Sequence, residues 1–199
     1  MTIPASLEQL IGPPAATPTT PDWDEIYSEY GLVFPPDYQA FVERYPLVEF
    51  YEFLAVYHPT SPIWNLFSVM GPQLEDAREY LRRTREPAGG FDPQTGLAIP
   101  AGPPVDYRFY PEPGGLVPWG VTVNEGKCLW LTHEDPEQWT VVIANDYRGW
   151  WHYRGPLTHF LRDILTARFV CPIFGDHFPD EWAEEGEIRQ VTDKIPPEM

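Results

Sequence analysis

Residues 23–45 read WDEIYSEYGLVFPPDYQAFVERY, and this stretch decides the fold. Asp22 stands where its carboxylate caps the first amides of a helix starting at Trp23. Trp23, Ile26, Tyr27 and Tyr30 recur at helical spacing and predict one apolar stripe. Gly31 supplies the left-handed residue that ends such a helix. Pro35 disfavours helix at Phe34, and Pro36 suits the first position of a second helix. Tyr38, Phe41, Val42 and Tyr45 line one face of that helix, with Asp37 in its first turn, where the dipole favours negative charge. The result is a helical corner that needs a sheet to cover it.

The sheet is expected further along. In LVPWGVTVNEGKCLWLT (116–132), Val117, Trp119, Val121 and Val123 alternate with Pro118, Gly120 and Thr122. Asn124-Glu125-Gly126 reads as a three-residue hairpin loop, and Leu129 and Leu131 continue the inward face. A turn at residues 134–137 leads to a strand through Trp139, Val141 and Ile143; residues 145–149 turn again before Trp150. Leu157, Phe160, Leu161, Ile164 and Leu165, behind Gly155-Pro156, form the stripe of a closing helix. The expected class is α+β: an antiparallel meander packed with an N-terminal helix pair and a C-terminal helix.

Three parts of this pattern resemble the SUKH superfamily, named partly for a yeast cell-wall assembly regulator. They are Trp23-x-x-Ile26 followed by Gly31-Leu32-x-Phe34-Pro35-x-Asp37-Tyr38-x-x-Phe41; Leu116-x-Pro118-Trp119-Gly120 with Gly126 and Leu129-Trp130-Leu131; and Pro156-Leu157-Thr158-x-Phe160-Leu161. The likeness spans roughly residues 22–167. It implies an α+β domain whose bacterial members mostly bind and neutralise toxins, often nucleases, delivered between competing cells. It implies no catalytic residue, and it does not transmit the identity of a toxin.

The remaining organisation is read more coarsely. Residues 1–21 hold a short helix at Ser6 to Ile11 and a proline-rich linker; residues 22–170 form the SUKH-like domain; residues 171–199 form an acidic tail. Leu74, Ala77, Tyr80 and Leu81 predict a helix from about Pro72 to Arg85. Seven prolines and six glycines within residues 87–115 predict a long loop.

Thirty acidic residues against thirteen basic ones give a net charge of −17 and a pI near 4.5. Such a surface repels nucleic acid and anionic membrane and favours a basic protein partner. The start of the chain has no basic cluster followed by an apolar run, and no segment has the length of a membrane span, so a cytoplasmic location is expected. Cys128 and Cys171 are too few for a disulfide scaffold and are read as reduced.

Chemical motifs are weak. Cys128 with His133, and Cys171 with His177, offer two zinc-like pairs, but strand parity sends Cys128 and His133 to opposite faces. His159 and Asp163 sit four apart on one helix face and read as a surface ion pair. No phosphate loop or nucleophile elbow is present. We therefore expect no enzyme activity, metal or cofactor. The expectation is an immunity protein that binds a basic toxin one-to-one; the alternative is an intracellular regulatory scaffold without a toxin partner. The expected contact residues are Glu134, Asp135 and Glu137 in a turn, Trp151 as an aromatic anchor, and Asp180, Glu181, Glu184 and Glu185 in the tail. Because Trp150 and Trp151 face opposite sides of a strand, one lies on the outer face unless the chain's own ends cover it.

Overall fold

The computed structural model describes residues 3–91, 98–99, 102–124, 126–175 and 178–192, excluding the side chains at 90, 91, 98, 99, 180 and 185. Among them, seven strands form one antiparallel sheet. In chain order these are β1 (Leu47–Phe50), β2 (Leu54–Val56), β5 (Leu116–Thr122), β6 (Lys127–Leu131), β7 (Thr140–Asn145), β8 (Gly149–Tyr153) and β9 (Ile188–Val191). Their spatial order is β8-β7-β6-β5-β2-β1-β9. A separate two-stranded piece, β3 (Gly90–Phe91) with β4 (Ala98–Ile99), lies within the proline-rich stretch. The helices are α1 (Ala5–Ile11), α2 (Trp23–Tyr30), α3 (Pro36–Arg44), α4 (Leu66–Arg83), α5 (Leu157–Leu165) and α6 (Asp180–Glu185). The α+β class expected from the patterning is the one found, with β5 to β8 as the meander.

The helical corner forms as its punctuation requires. Asp22 Oδ1 accepts the Glu25 amide at 3.0 Å, and Gly31, left-handed at φ 65°, donates its amide to the Tyr27 carbonyl at 2.8 Å. Pro36 opens α3. Asp37 does more than its position in a first turn suggests. Its buried carboxylate accepts the Thr158 amide at 2.9 Å and the Thr158 hydroxyl at 3.0 Å, so one aspartate serves the starts of both α3 and α5. That bond locks the N-terminal corner to the closing helix.

Both faces of the sheet are covered. Trp119 and Trp151 meet Phe160 of α5, and Trp130 meets Phe34 and Tyr38, so α3 and α5 share one face. Trp150 points the other way, against Tyr80 of α4 and Tyr107. Among the described residues, no aromatic ring of either chain end meets Trp151. It lies half-buried beneath α5 and Phe169, because the closing helix crosses the last strands of the sheet.

Several local expectations are corrected. Helix α4 begins at Leu66, not near Pro72, because Asn65 Oδ1 accepts the Phe67 and Ser68 amides and caps the helix early. Pro72 then lies inside it, and its lost hydrogen bond is offset by a buried face through Leu66, Met70, Leu74, Ala77, Tyr80 and Leu81. The alternation in β5 breaks at a bulge between Pro118 and Gly120, so Val123 emerges exposed instead of inward. Gly120 is required there, since a Cβ would sit 2.5 Å from the Ala55 carbonyl oxygen. The expected hairpin loop at 124–126 includes Glu125, which lies outside the described residues; Gly126 donates its amide to Thr122 Oγ1 at 2.9 Å. The strands β1, β2 and β9 extend the sheet beyond the expected meander. The acidic C-terminal stretch supplies β9, paired with β1 from Leu47↔Val191 to Phe50↔Ile188.

Candidate functional site

The sheet has two ends, and the register separates the expected contact residues between them. β6 runs from Lys127, opposite Val121 and Ala144, to Leu131, opposite Leu116 and Thr140. Residues 51–53, 123–124, 126 and 146–148 therefore lie at one end, and the β6–β7 loop with Glu134, Asp135 and Glu137 lies at the other. Trp182 of α6 packs on Phe53, with ring centroids 4.8 Å apart, which places α6 at the first end. Glu181 and Glu184 are exposed there; the side chains of Asp180 and Glu185 lie outside the described ones. Trp151 belongs to neither end. The eight residues do not make one surface.

What the β6–β7 loop does join is the helical corner. Phe34 touches Trp23 (6.0 Å between centroids), Trp130 and Trp139 (both 5.7 Å), so α2 and the loop share one aromatic foundation. The loop is braced from within. Trp139 Nε1 donates to the His133 carbonyl at 2.8 Å, while Asp135 accepts the Glu137 amide and the Gln138 side-chain amide, both at 3.0 Å. Tyr110 donates its hydroxyl to the Tyr30 carbonyl at 2.8 Å, and Thr132 donates its own to the Gly115 carbonyl at 2.7 Å, bringing residues 109–115 to the same end.

Carboxylates predominate at this end, beside three arginines: Arg78 donates to the Tyr110 carbonyl at 2.9 Å, the Arg108 carbonyl accepts the Leu116 amide at 2.8 Å, and Arg154 follows Tyr153, opposite Val141. Asp22, Asp24, Glu25 and Glu29 of the α2 region, Glu112, and Glu134, Asp135 and Glu137 are all exposed. None has an ion-pair partner among the described residues. The chain contains no Lys or Arg before Arg44, and between Arg108 and Arg148 its one base, Lys127, is buried. Among these carboxylates Tyr27 is 58% exposed and Val33 49% exposed. Tyr27 was expected in the buried stripe of α2. Instead Ile26 is buried and Tyr30 stacks on Phe67 at 4.2 Å, which turns Tyr27 outward. The signal for this surface was present in the sequence as the base-free opening of 43 residues.

Other chemical candidates are occupied. Asp163, expected opposite His159, is held by Arg162 Nε at 2.6 Å, the Tyr153 hydroxyl at 3.0 Å and Arg168 at 3.7 Å, because guanidinium and phenol reach it more directly. Cys128 and Cys171 are both buried, which pushes their thiols up, Cys171 to about 12; neither is a thiolate at neutral pH. His133 is exposed, His177 lies outside the described residues, and no group of three or more potential metal ligands occurs among those described. A groove of about 760 Å³ runs between the N-terminal arm and α3, past Glu8, Pro14, Glu43 and Arg44, and the Arg44–Glu8 ion pair at 2.9 Å crosses it. No described helix is long and apolar enough to cross a membrane. Compared with family models, curated proteins and solved structures, the chain matches none.

Proposed function

We propose that this protein is a non-enzymatic binding protein of the cytoplasm that blocks a basic protein partner, and that the partner is a toxin. The observation that carries this reading is the braced α2 and β6–β7 side of that sheet end, where exposed carboxylates without ion-pair partners among the described residues accompany exposed Tyr27 and Val33. Unneutralised carboxylates around a rigid apolar contact speed encounter with a positive surface and then hold it. A nuclease toxin offers such a surface, because its cleft must attract phosphate. The resemblance of residues 22–167 to SUKH proteins supports the same reading. The contact surface proposed is Asp24, Glu25, Tyr27, Glu29 and Val33 with Glu134, Asp135 and Glu137.

The test is co-expression with the product of the adjacent gene, scoring growth rescue and co-purification. Rescue with a stable complex, both lost when Asp24, Glu29 and Glu137 are changed to Lys, is the expected outcome. Rescue without physical association favours the regulatory scaffold. Failure to rescue or bind rejects that gene product as the toxin.

A further inference from the structure

Residues 147–175 reverse the charge of the rest of the chain: Arg148, Arg154, Arg162 and Arg168 stand against a single carboxylate, Asp163. This stretch contains β8, the outermost strand on its side of the sheet. The first part of that edge is covered. The Trp150 amide donates to the Glu86 carbonyl at 3.1 Å, and the Trp150 carbonyl accepts the Ala88 amide at 2.6 Å, so the Trp150 main chain faces away from β7. In an antiparallel ladder the same orientation returns two residues later. His152 therefore turns its amide and carbonyl outward, and no hydrogen bond reaches them among the described residues. Its imidazole is engaged separately, with Thr140 Oγ1 at 2.8 Å.

The surroundings of this open edge are aromatic and mostly cationic, with one exposed carboxylate residue, Glu86, beside its covered part. Trp151, Tyr153 and Phe169 are half-buried; Tyr153 and Phe169 stack at 5.4 Å, and Trp151 lies 5.6 Å from Phe169. Asp163 is consumed by Arg162, Arg168 and the Tyr153 hydroxyl. Arg154, exposed at the end of β8, has no carboxylate partner among the described residues, and the Arg168 side chain is 59% exposed.

We propose that the open edge of β8 takes an extended acidic segment of a partner protein as an added strand. The His152 main chain pairs with it, the Trp151–Tyr153–Phe169 surface receives alternate apolar side chains, and Arg154 and Arg168 receive its carboxylates. A peptide fits better than a nucleic acid because the free groups are a strand's donor and acceptor and the whole molecule carries −17. This surface lies on the β8 edge, while the function proposed above rests on the carboxylates of α2 and the β6–β7 loop, so its failure leaves that function untouched.

Fluorescence anisotropy on the full chain tests it, using a labelled, end-blocked hexapeptide of alternating glutamate and valine. Three comparison probes are the lysine–valine counterpart, the acidic peptide N-methylated at alternate residues, and oligothymidylate. The acidic peptide is expected to bind, the lysine and N-methylated peptides and the oligonucleotide not to. Arg154→Glu, whose thermal midpoint should match the parent, is expected to weaken binding about 3- to 5-fold, the upper range for an exposed charge pair. No binding of the acidic peptide, equal binding of the N-methylated one, tighter binding of oligothymidylate, or indifference to Arg154→Glu overturns the proposal.

Discussion

Along α4, carboxylates and bases answer one another. Glu75 and Glu79 meet Arg82 at 3.2 and 2.6 Å, Glu75 also meets Arg78, and Lys127 reaches Asp76 at 3.0 Å and Asp146 at 3.4 Å. Around α2 and the β6–β7 loop, carboxylates of the same kind meet no base in an ion pair among the described residues; Asp22 and Asp135 each accept a backbone amide, and Asp135 also the Gln138 side chain. Of the α4 pairs, Lys127–Asp76 ties the helix to the sheet, while the exposed pairs within α4 add little. The carboxylates at the acidic end are not needed by the fold, beyond the two caps. The proposed contact surface therefore falls on the acidic end and not on α4.

This contrast is sharpened first where a carboxylate is most committed to the fold. Asp37→Ala leaves the Thr158 amide and hydroxyl buried without an acceptor and is expected to cost about 3–4 kcal/mol, read by denaturant unfolding. Lys127→Ala comes next. It opens a hollow beside the Tyr80 ring, 5.0 Å from the ammonium, and strands Asp76 and Asp146. Because both carboxylates are half exposed, the expected loss is about 2–3 kcal/mol, less than for a fully buried pair.

Asp163 and His152 give the pH dependence. Burial alone raises the Asp163 carboxyl, but hydrogen bonds from Arg162 and Tyr153 and the charge of Arg168 outweigh it and hold it below its ordinary value. Its contribution is therefore complete above the ordinary carboxylate pKa and is lost as pH falls through the lower folded value. Asp163→Asn should cost about 1–2 kcal/mol at neutral pH and flatten the acid limb of a stability–pH curve. Burial, then Arg154, lowers the His152 imidazole. The sign is the same: its contribution is present above the ordinary histidine pKa and fades as pH drops towards the folded one. His152→Gln should remove that part of the slope near pH ~6.

The smallest stability effects are expected at the acidic end. Asp24→Asn, Glu29→Gln and Glu137→Gln should each stay within about 0.5 kcal/mol of the parent, and combined they should stabilise slightly by relieving repulsion. A loss of several kcal/mol from any of them would erase the contrast, since the carboxylate would then belong to the fold.

Much of the scaffold was legible because its signals are local. Asp22, Gly31 and Pro36 punctuate the corner within 15 residues, and the stripe from Leu157 to Leu165 needs nothing but helical period. β1 and β2 escaped because four and three residues are too few for a period. β9, Ile188-Arg189-Gln190-Val191, reads as polar because it is an edge strand, and its partner β1 lies far away in sequence. The candidate surface was half legible. The acidity of residues 134–137 and the absence of bases before Arg44 are in the chain, but their meeting depends on Phe34 reaching Trp139. Grouping those residues with α6 failed because composition cannot tell which end of a sheet a turn occupies.

The central claim is that the acidic end exists to meet a basic protein, and the association rate with the partner recovered by co-expression tests it most directly. Followed from low salt to ~0.5 M, that rate should fall at least tenfold for the parent chain, and Asp24→Lys with Glu29→Lys should lower it at low salt and flatten the slope. A rate indifferent to salt, or unchanged by those two reversals, would contradict it.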